Sequence, residues 1–362
     1  MLMGLTLPGL SRSPSPPLLG VDLSAHRVKV VELAPEGRDR IRLERYAIET
    51  IESGAIVDGQ IENPEAVAGA LSRAIRRSGT RARHAALALP SSAVIAKRIL
   101  LPAGLTDEDY EVQVETEASQ YIPFSMDEVN LDFQVLGPAE GAPDDVEVLL
   151  AASRRERVED RVALAEMAGL KPVVIDVEPF AARRVIDRVC AFLPGRGAGQ
   201  VHAVFDIGQS NTSLVVVVDG RTVFERDQSF GGELLTQDIA RHFGLSLDEA
   251  ELKKRSGELP GAYGNDVLAP FLEQGASEVA RALQLLTTST PYNHVDRIFL
   301  AGGAAVTAGL AEAVADRAQV ATEILSPFQG MGLAEGARRR LLDQDAPALL
   351  VACGLAMRRF DR

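Results

Sequence analysis

Apolar and polar positions follow two rhythms along the chain, and the changes of rhythm divide it into units. From Leu18 the chain reads LLGVDL, VKVVEL and IRLERYAIETI, which predict three consecutive strands, the first two joined by the tight SAHR turn. Pro64 to Ser78 then places Ala66, Val67, Ala70, Leu71, Ala74 and Ile75 on one helical face, with Asn63 as its N-cap. HAALALP reads as a short buried strand and VIAKRILLP as another. Thr106 opens a helix whose first turn carries Asp107, Glu108 and Asp109, where acids suit the dipole; it runs to about Tyr121. Strands VNLDFQVLG and DVEVLLAAS follow, separated by the loop PAEGAPDD, and a helix from Arg155 to Ala168 ends at Gly169. These elements predict a self-contained βαββα insert over roughly residues 92–172.

VVIDVE resumes as a strand and leads into the helix PFAARRVIDRVCAFL, with Pro179 at its start. PGRGAGQ is a linker by composition. A second block then begins: strands VHAVFDIG, TSLVVVV and TVFERDQS, the last two joined by an Asp219-Gly220 turn. A largely helical stretch covers Glu233 to Ser289, RIFLAGG is a strand, and a helix is expected from Ala305 to Arg317. The final segment, APALLVACGLAMRRF, is apolar on all sides and so belongs inside the protein. The fold class is α/β with two lobes. Residues 18–91, 173–200 and 345–362 are assigned to the first, and 201–344 to the second, whose helical part spans about 240–290. Residues 1–17, rich in Ser, Pro and Gly, read as a flexible leader.

Composition narrows the function. A chain of 362 residues exceeds what one core fills comfortably. With 38 Lys+Arg against 51 Asp+Glu, the net charge of −13 weighs against nucleic acid as a partner. Two cysteines, Cys190 and Cys353, support neither a disulfide framework nor a four-cysteine zinc site. The apolar runs are too short for a membrane span, and the leader lacks a secretory h-region, so a cytoplasmic chain without its own span is expected. There is no G-x-x-x-x-G-K-[ST] loop, and GRGAGQ leads into a strand rather than a helix. The five histidines lack ligand spacing.

One similarity between the halves carries chemistry. LLGVDLSAHRVKVVEL and HAVFDIGQSNTSLVVVV both run apolar strand, aspartate, polar turn, apolar strand. Small residues in such turns let backbone N–H groups converge on an anion. Gly208, Gln209, Ser210, Asn211 and Thr212 suit that role; Ser24, Ala25 and His26 suit it less freely, having no glycine. Asp22 and Asp206 would repel phosphate directly but can anchor a hydrated Mg²⁺. Glu178, at a strand end, is placed to orient a water toward a terminal phosphoryl group. Gly302 and Gly303 offer a flat backbone to a base or ribose, and Glu251 and Lys254 share a helical face at i and i+3. Lys29 follows the first turn, pointing either toward a phosphate or away from it. The apolar Tyr121-Ile122-Pro123-Phe124 stretch is either insert core or the wall of a groove.

The order of these motifs resembles that of the actin/Hsp70-like ATPase superfamily and, within it, the PilM family of type IV pilus assembly. GVDLSAHRVKVVEL is similar to the first phosphate motif, DVEPFAARR to the first connecting motif and FDIGQSNTSL to the second phosphate motif. GGELLTQDIA supplies a following glycine pair, Gly231 and Gly232. EAELKK resembles the ribose and base helix, and LAGGAAVTAGL, with Gly302, Gly303 and Ala304, the adenosine motif. VDGQIENPEAVAGAL and ETEASQYIPFSMDEVNLDFQVL point to PilM rather than its relatives. The resemblance runs from about Leu18 to Phe360. It implies an actin-like (ribonuclease H-like) two-lobe ATPase fold with an FtsA-type βαββα subdomain, binding ATP and Mg²⁺ between the lobes. It further implies an adaptor on the cytoplasmic face of the inner membrane. Such a protein binds the cytoplasmic N-terminal tail of PilN in a groove beside the insert and links it to the assembly motor ATPases and the inner-membrane platform. Homo-oligomers stay open. Ser24 stands where many relatives carry glycine, so ATP binding with weak or no hydrolysis is expected. The alternatives on the same fold are an FtsA-like filament-forming ATPase and a small-molecule kinase. The expected absence of an amphipathic tail after the last helix weighs against the first, and the lack of an acceptor motif against the second.

Overall fold

The computed structural model describes residues 16–37, 40–139, 141–335 and 339–361; all but the last two residues of the expected leader fall outside these. Everything below concerns the described residues. The chain opens with an antiparallel meander of β1 (Leu18–Leu23), β2 (Arg27–Glu36) and β3 (Arg40–Thr50). A small ribbon of β4 (Ile56–Val57) and β5 (Gln60–Ile61) leads to α1 (Pro64–Ser78). That helix starts where Asn63 Oδ1 accepts the Ala66 N–H at 3.1 Å and stops at Gly79 in the left-handed region. Its buried residues Val67, Ala70, Leu71 and Ala74 share a core with β1 and β2. β6 (His84–Leu89) then pairs parallel to β1.

The insert follows: β7 (Val94–Pro102), α2 (Asp107–Ala118), β8 (Val129–Ala139) and β9 (Ala142–Arg154). Its sheet has the order β7-β9-β8, all antiparallel. Thr106 and Asp109 form a reciprocal capping box at the start of α2, so the acidic first turn serves its predicted purpose. Two expectations shift here. α2 ends at Ala118 rather than near Tyr121. The loop expected over PAEGAPDD is mostly ladder, with Ala139 already facing Ala142 across a narrow tip.

α3 (Arg155–Met167) corrects the boundary of the insert. Its buried Leu164 and Ala165 belong to the core beneath β1, β6 and α1, so the βαββα unit is not self-contained. The helix that closes it is part of the first lobe. β10 (Lys171–Val177) pairs parallel to β6, and α4 (Glu178–Cys190) begins at the next residue.

The second lobe is built on β11 (Val201–Ile207), β12 (Thr212–Val218) and β13 (Arg221–Gln228). Asp219 and Gly220 both adopt positive φ, as the two-residue turn between β12 and β13 requires. α5 (Gly232–Phe243), α6 (Leu247–Ser256) and α7 (Ala269–Ser289) form the helical part. β14 (Arg297–Ala301) pairs parallel to β11, and α8 (Leu310–Ala318) and β15 (Thr322–Ile324) complete a sheet of order β13-β12-β11-β14-β15. α8 starts five residues later than the periodicity suggests, because Gly309 in the left-handed region (φ 87°) interrupts any helix begun at Ala305.

The chain then returns to the first lobe earlier than expected. β16 (Gly332–Leu333) pairs with β3, giving a sheet of order β10-β6-β1-β2-β3-β16, so the second lobe does not extend to residue 344. α9 (Arg339–Asp345) precedes α10 (Leu350–Met357). α10 and α4 lie between the two sheets, in one core with Val31 and Leu33 on one side and Val204, Val215 and Phe299 on the other. That shared core explains why the last helix is apolar all round. No helix among the described residues is long and apolar enough to cross a membrane.

Candidate functional site

The two aspartate-bearing hairpins bring their carboxylates into one neighbourhood where the lobes meet. Asp22 is the penultimate residue of β1 and is 5% exposed; β-register places it opposite Lys29, whose Nζ lies 2.9 Å from Asp22 Oδ2. Asp206 is the penultimate residue of β11, and Glu178 begins α4 at the end of β10. These groups share one electrostatic field. Burial opposes the ammonium of Lys29, but Asp22 and Asp206 outweigh it and hold the lysine above its usual range. Asp206 is pushed up to about 6 by burial, with Lys29 pulling it down and Asp22 adding to the rise. Glu178 is pushed up to about 8 by burial and by Asp22, against the attraction of Arg161 and Lys29. Three carboxyls thus converge on a single ammonium, and Asp22 is not the free carboxylate expected of a cation anchor. Among the described residues Asp206 has no hydrogen-bonding or ionic side-chain partner, which leaves it available to a hydrated cation.

The turns differ in what they leave free. In the first, the Ser24 N–H and Oγ both donate to Arg27 O, at 3.0 and 3.1 Å, so the hydroxyl closes the turn and Ala25 and His26 form its tip. In the second, Gly208 N–H donates to Asn211 O at 2.9 Å. The Thr212 hydroxyl is buried and donates to Phe230 O, so its side chain serves the hairpin rather than a phosphate. The glycine pair also packs against this turn. Gly232 and Glu233 donate their N–H groups to Gly208 O and Gln209 O, and a Cβ on Gly231 would sit 2.2 Å from Gln209 O. Gly231 and Gly232 therefore let the start of α5 lie against the second phosphate turn; the Gly232 N–H is already committed. Ser210 Oγ donates to Glu233, while Gln209 is half-buried and Asn211 stays exposed at the tip.

Glu251 and Lys254 share a helical face, as expected, and pair at 2.5 Å. They are part of a larger network. Thr236 Oγ1 lies 2.9 Å from Glu251 Oε2, Lys254 Nζ also reaches Thr236 and Gly232 O, and Arg27 from the first hairpin lies 3.3 Å from Glu251 Oε1. This last contact is an ion pair that joins the two lobes. Opposite, Gly302 has a φ of 89°, and a Cβ there would fall 2.5 Å from Asp206 Oδ1 and 2.3 Å from Ile207 O. Gly303 is exposed with an open flank, and Ala304 N–H donates to Ile207 O. An aspartate without a side-chain partner, an open glycine flank and a carboxylate–lysine pair gather where the two lobes meet, and the chemistry of this donor set is compatible with a magnesium nucleotide.

A second concavity lies where the insert meets the first lobe. It has a volume of about 290 Å³ and is walled by Gly59, Pro90, Ile122, Phe124, Arg154 and Arg157 among others. Ile122 is buried against Ala118, Val129 and Ala152, so Ile122 with Phe124 is insert core as well as groove wall, while Tyr121 is exposed. The Arg154 guanidinium stacks 4.0 Å from the centre of the Phe124 ring, giving the groove an apolar floor with a cationic rim.

The profile of a family described as type IV pilus assembly protein PilM matches residues 20–360. The chain belongs to the PilM family. A solved PilM-PilN type IV pilus biogenesis complex superposes with a TM-score of 0.79 at 30% identity, covering 96% of this chain and 100% of that one. The ethanolamine utilization protein EutJ of Carboxydothermus hydrogenoformans shares the fold at 17% identity, with a TM-score of 0.57 over 95% of this chain and 90% of that one. The EutJ of Escherichia coli (strain K12) is 29% identical over 154 residues, 42% of this chain; the match spans 47%, about half, of that relative. The two-lobed actin-like fold expected from the motifs is the fold of this PilM-family chain.

Two members of the site carried a weaker signal in the sequence. Arg27 looks like an ordinary turn residue until α6 is folded over it. Arg161 shares the buried face of α3 with Leu164 and Ala165, a spacing that places a cation among apolar neighbours.

Proposed function

We propose that this PilM-family protein is a nucleotide-binding adaptor of the type IV pilus machinery. In this reading it holds Mg-ATP between its lobes and the cytoplasmic tail of PilN in the groove between insert and first lobe. The observation that carries it is the groove, an apolar trough with an arginine rim on a chain matched over 96% of its length by the PilM of a PilM-PilN complex. Asp206 would hold the cation through water, Lys29 would meet phosphate once released from Asp22, and Glu251 and Lys254 would meet the ribose. Bound nucleotide supplies negative charge that Lys29 is placed to neutralise. A ligand changes the lobe arrangement only as far as it binds one arrangement better. The Arg27–Glu251 pair is where that preference is set, since Glu251 serves both the bridge and the nucleotide. Links to the motor ATPases and the inner-membrane platform complete the proposed role, with attachment to the membrane made through partners. Weak or absent hydrolysis accords with a first turn whose Ser24 hydroxyl is spent on closing the turn.

The test is calorimetry with a synthetic peptide matching the PilN tail. Wild-type protein binds it, and Phe124→Ala weakens binding at least tenfold by removing one wall. Equal binding by the variant places the peptide elsewhere and overturns the assignment of the groove.

A further inference from the structure

Arg161 is a cation where no cation is expected. It is 3% exposed, on the apolar face of α3, and among the described residues it has no direct ion-pair partner. Its guanidinium is instead satisfied by backbone: Nη2 donates to Gly59 O at 2.9 Å and Nε to Ala88 O at 3.4 Å. A buried charge held by neutral carbonyls is costly to keep, and an apolar side chain would serve packing better.

Its two backbone partners lie on different structures. Gly59 walls the groove and is pressed onto Pro90, so closely that a Cβ would fall 2.7 Å from Pro90 Cγ. Ala88 lies on β6, opposite Asp176 of β10, two residues before Glu178 at the cleft. When ionised, Glu178 is the carboxylate that acts most strongly on Arg161, and Asp160 acts in the same sense. A small void of about 10 Å³ is lined by Gly59, Pro90, Asp160 and Arg161 among others.

We propose that Arg161 is a positioning residue that couples the nucleotide cleft to the peptide groove, by tying the Gly59 wall to Glu178; the proposal rests on the reading of cleft and groove given above. A change in the position or charge of Glu178 alters the pull on the guanidinium, and the guanidinium carries the Gly59 carbonyl with it. The groove then has two shapes, each favoured by one state of the cleft. Coupling of this kind is reciprocal: whatever the nucleotide does to peptide affinity, the peptide does to nucleotide affinity.

The experiment measures the dissociation constant of the PilN tail peptide on the full-length protein, with and without saturating Mg²⁺ and a non-hydrolysable ATP analogue. In the wild type the two constants are expected to differ by about fivefold or more, the usual floor for coupled sites. In Arg161→Gln the ratio collapses to within about twofold of one, as it does in Glu178→Gln, and the double variant loses no more than either single one. A purely structural Arg161 would lower stability and both affinities but leave their ratio intact, so an unchanged ratio in Arg161→Gln overturns the proposal. A wild-type ratio of one overturns it as well. If Arg161→Gln does not fold, Glu178→Gln decides in the same terms. Failure of the wild type to bind the peptide in either state overturns the proposed function itself, whereas binding with retained coupling in the variants overturns only the role of Arg161.

Discussion

Replacing Glu178 with glutamine should flatten the dependence of stability on pH. In the folded, ligand-free protein the Glu178 carboxyl is pushed from the ordinary 4.5 up to about 8, first by burial and then by Asp22. The unfolded chain surrenders this proton near 4.5 while the folded chain keeps it to about 8, so the fold binds the extra proton across that window. Stability from this group is whole below 4.5, falls as pH rises, and is gone above about 8. At about 1.4 kcal/mol per pH unit, the span is worth at most about 5 kcal/mol. Between about pH 7 and 8.5, roughly 1.3 kcal/mol should disappear from the wild type but not from Glu178→Gln, which mimics the neutral acid. Two neighbours make that interval the right one. Asp206, raised to about 6, contributes with the same sign but has finished titrating. His202 is held neutral by burial, so its contribution has the opposite sign and ends as pH passes its ordinary 6.5. Urea denaturation of both proteins without metal or nucleotide, at several pH values and with a shared m-value, gives the comparison. A constant difference between them over this range would refute the placement of Glu178 in a half-buried, carboxylate-flanked site.

Three further outcomes are expected. Asp206→Ala removes the partner-free carboxylate of the cleft, a loss of roughly 1.5–3 kcal/mol for a charge-assisted contact, so calorimetry should show Mg-ATP binding at least tenfold weaker; unchanged affinity excludes the second hairpin from the site. Gly302→Ala forces a side chain onto Ile207 O at 2.3 Å from a φ of 89°, and should cost roughly 1–3 kcal/mol in thermal unfolding; a neutral result would mean that the turn relaxes freely. Arg27→Ala breaks a bridge whose ends are 22% and 29% exposed, so stability should fall by less than about 1 kcal/mol while hydrogen exchange quickens in residues 246–256. Unaltered exchange there would show that the bridge does not hold the lobes together.

Most elements were legible in the sequence because their signals were local. Asn63 and Thr106 announce helix starts, Asp219-Gly220 announces its turn, and the uniform apolarity of the last helix announces burial between two sheets. The nearness of Asp22 and Glu178 was also readable, since both lie at the C-terminal ends of strands that run parallel to β6; Asp206 reaches them from the other sheet. What escaped was set by distant partners. β16 is two residues long and pairs with a strand nearly three hundred residues earlier, so no window contains its reason for existing. The packing role of the glycine pair before α5 was hidden because close packing against Gln209 and a close approach to phosphate demand the same residue type. Likewise α3 completes the insert in sequence order but buries Leu164 and Ala165 in the first lobe, and only the assembled sheet decides which neighbour it serves.

The placement of α10 also has a consequence for biosynthesis. This helix covers β1, β2 and α4, strands and a helix that leave the ribosome long before it does. At about 5–20 residues per second, the opening meander waits many seconds with an uncovered apolar surface, whereas β11 to β15 complete their sheet from one contiguous stretch. The nascent chain should therefore consolidate its middle before its beginning. The interval in which it needs protection from aggregation ends only when α10 is translated and docks.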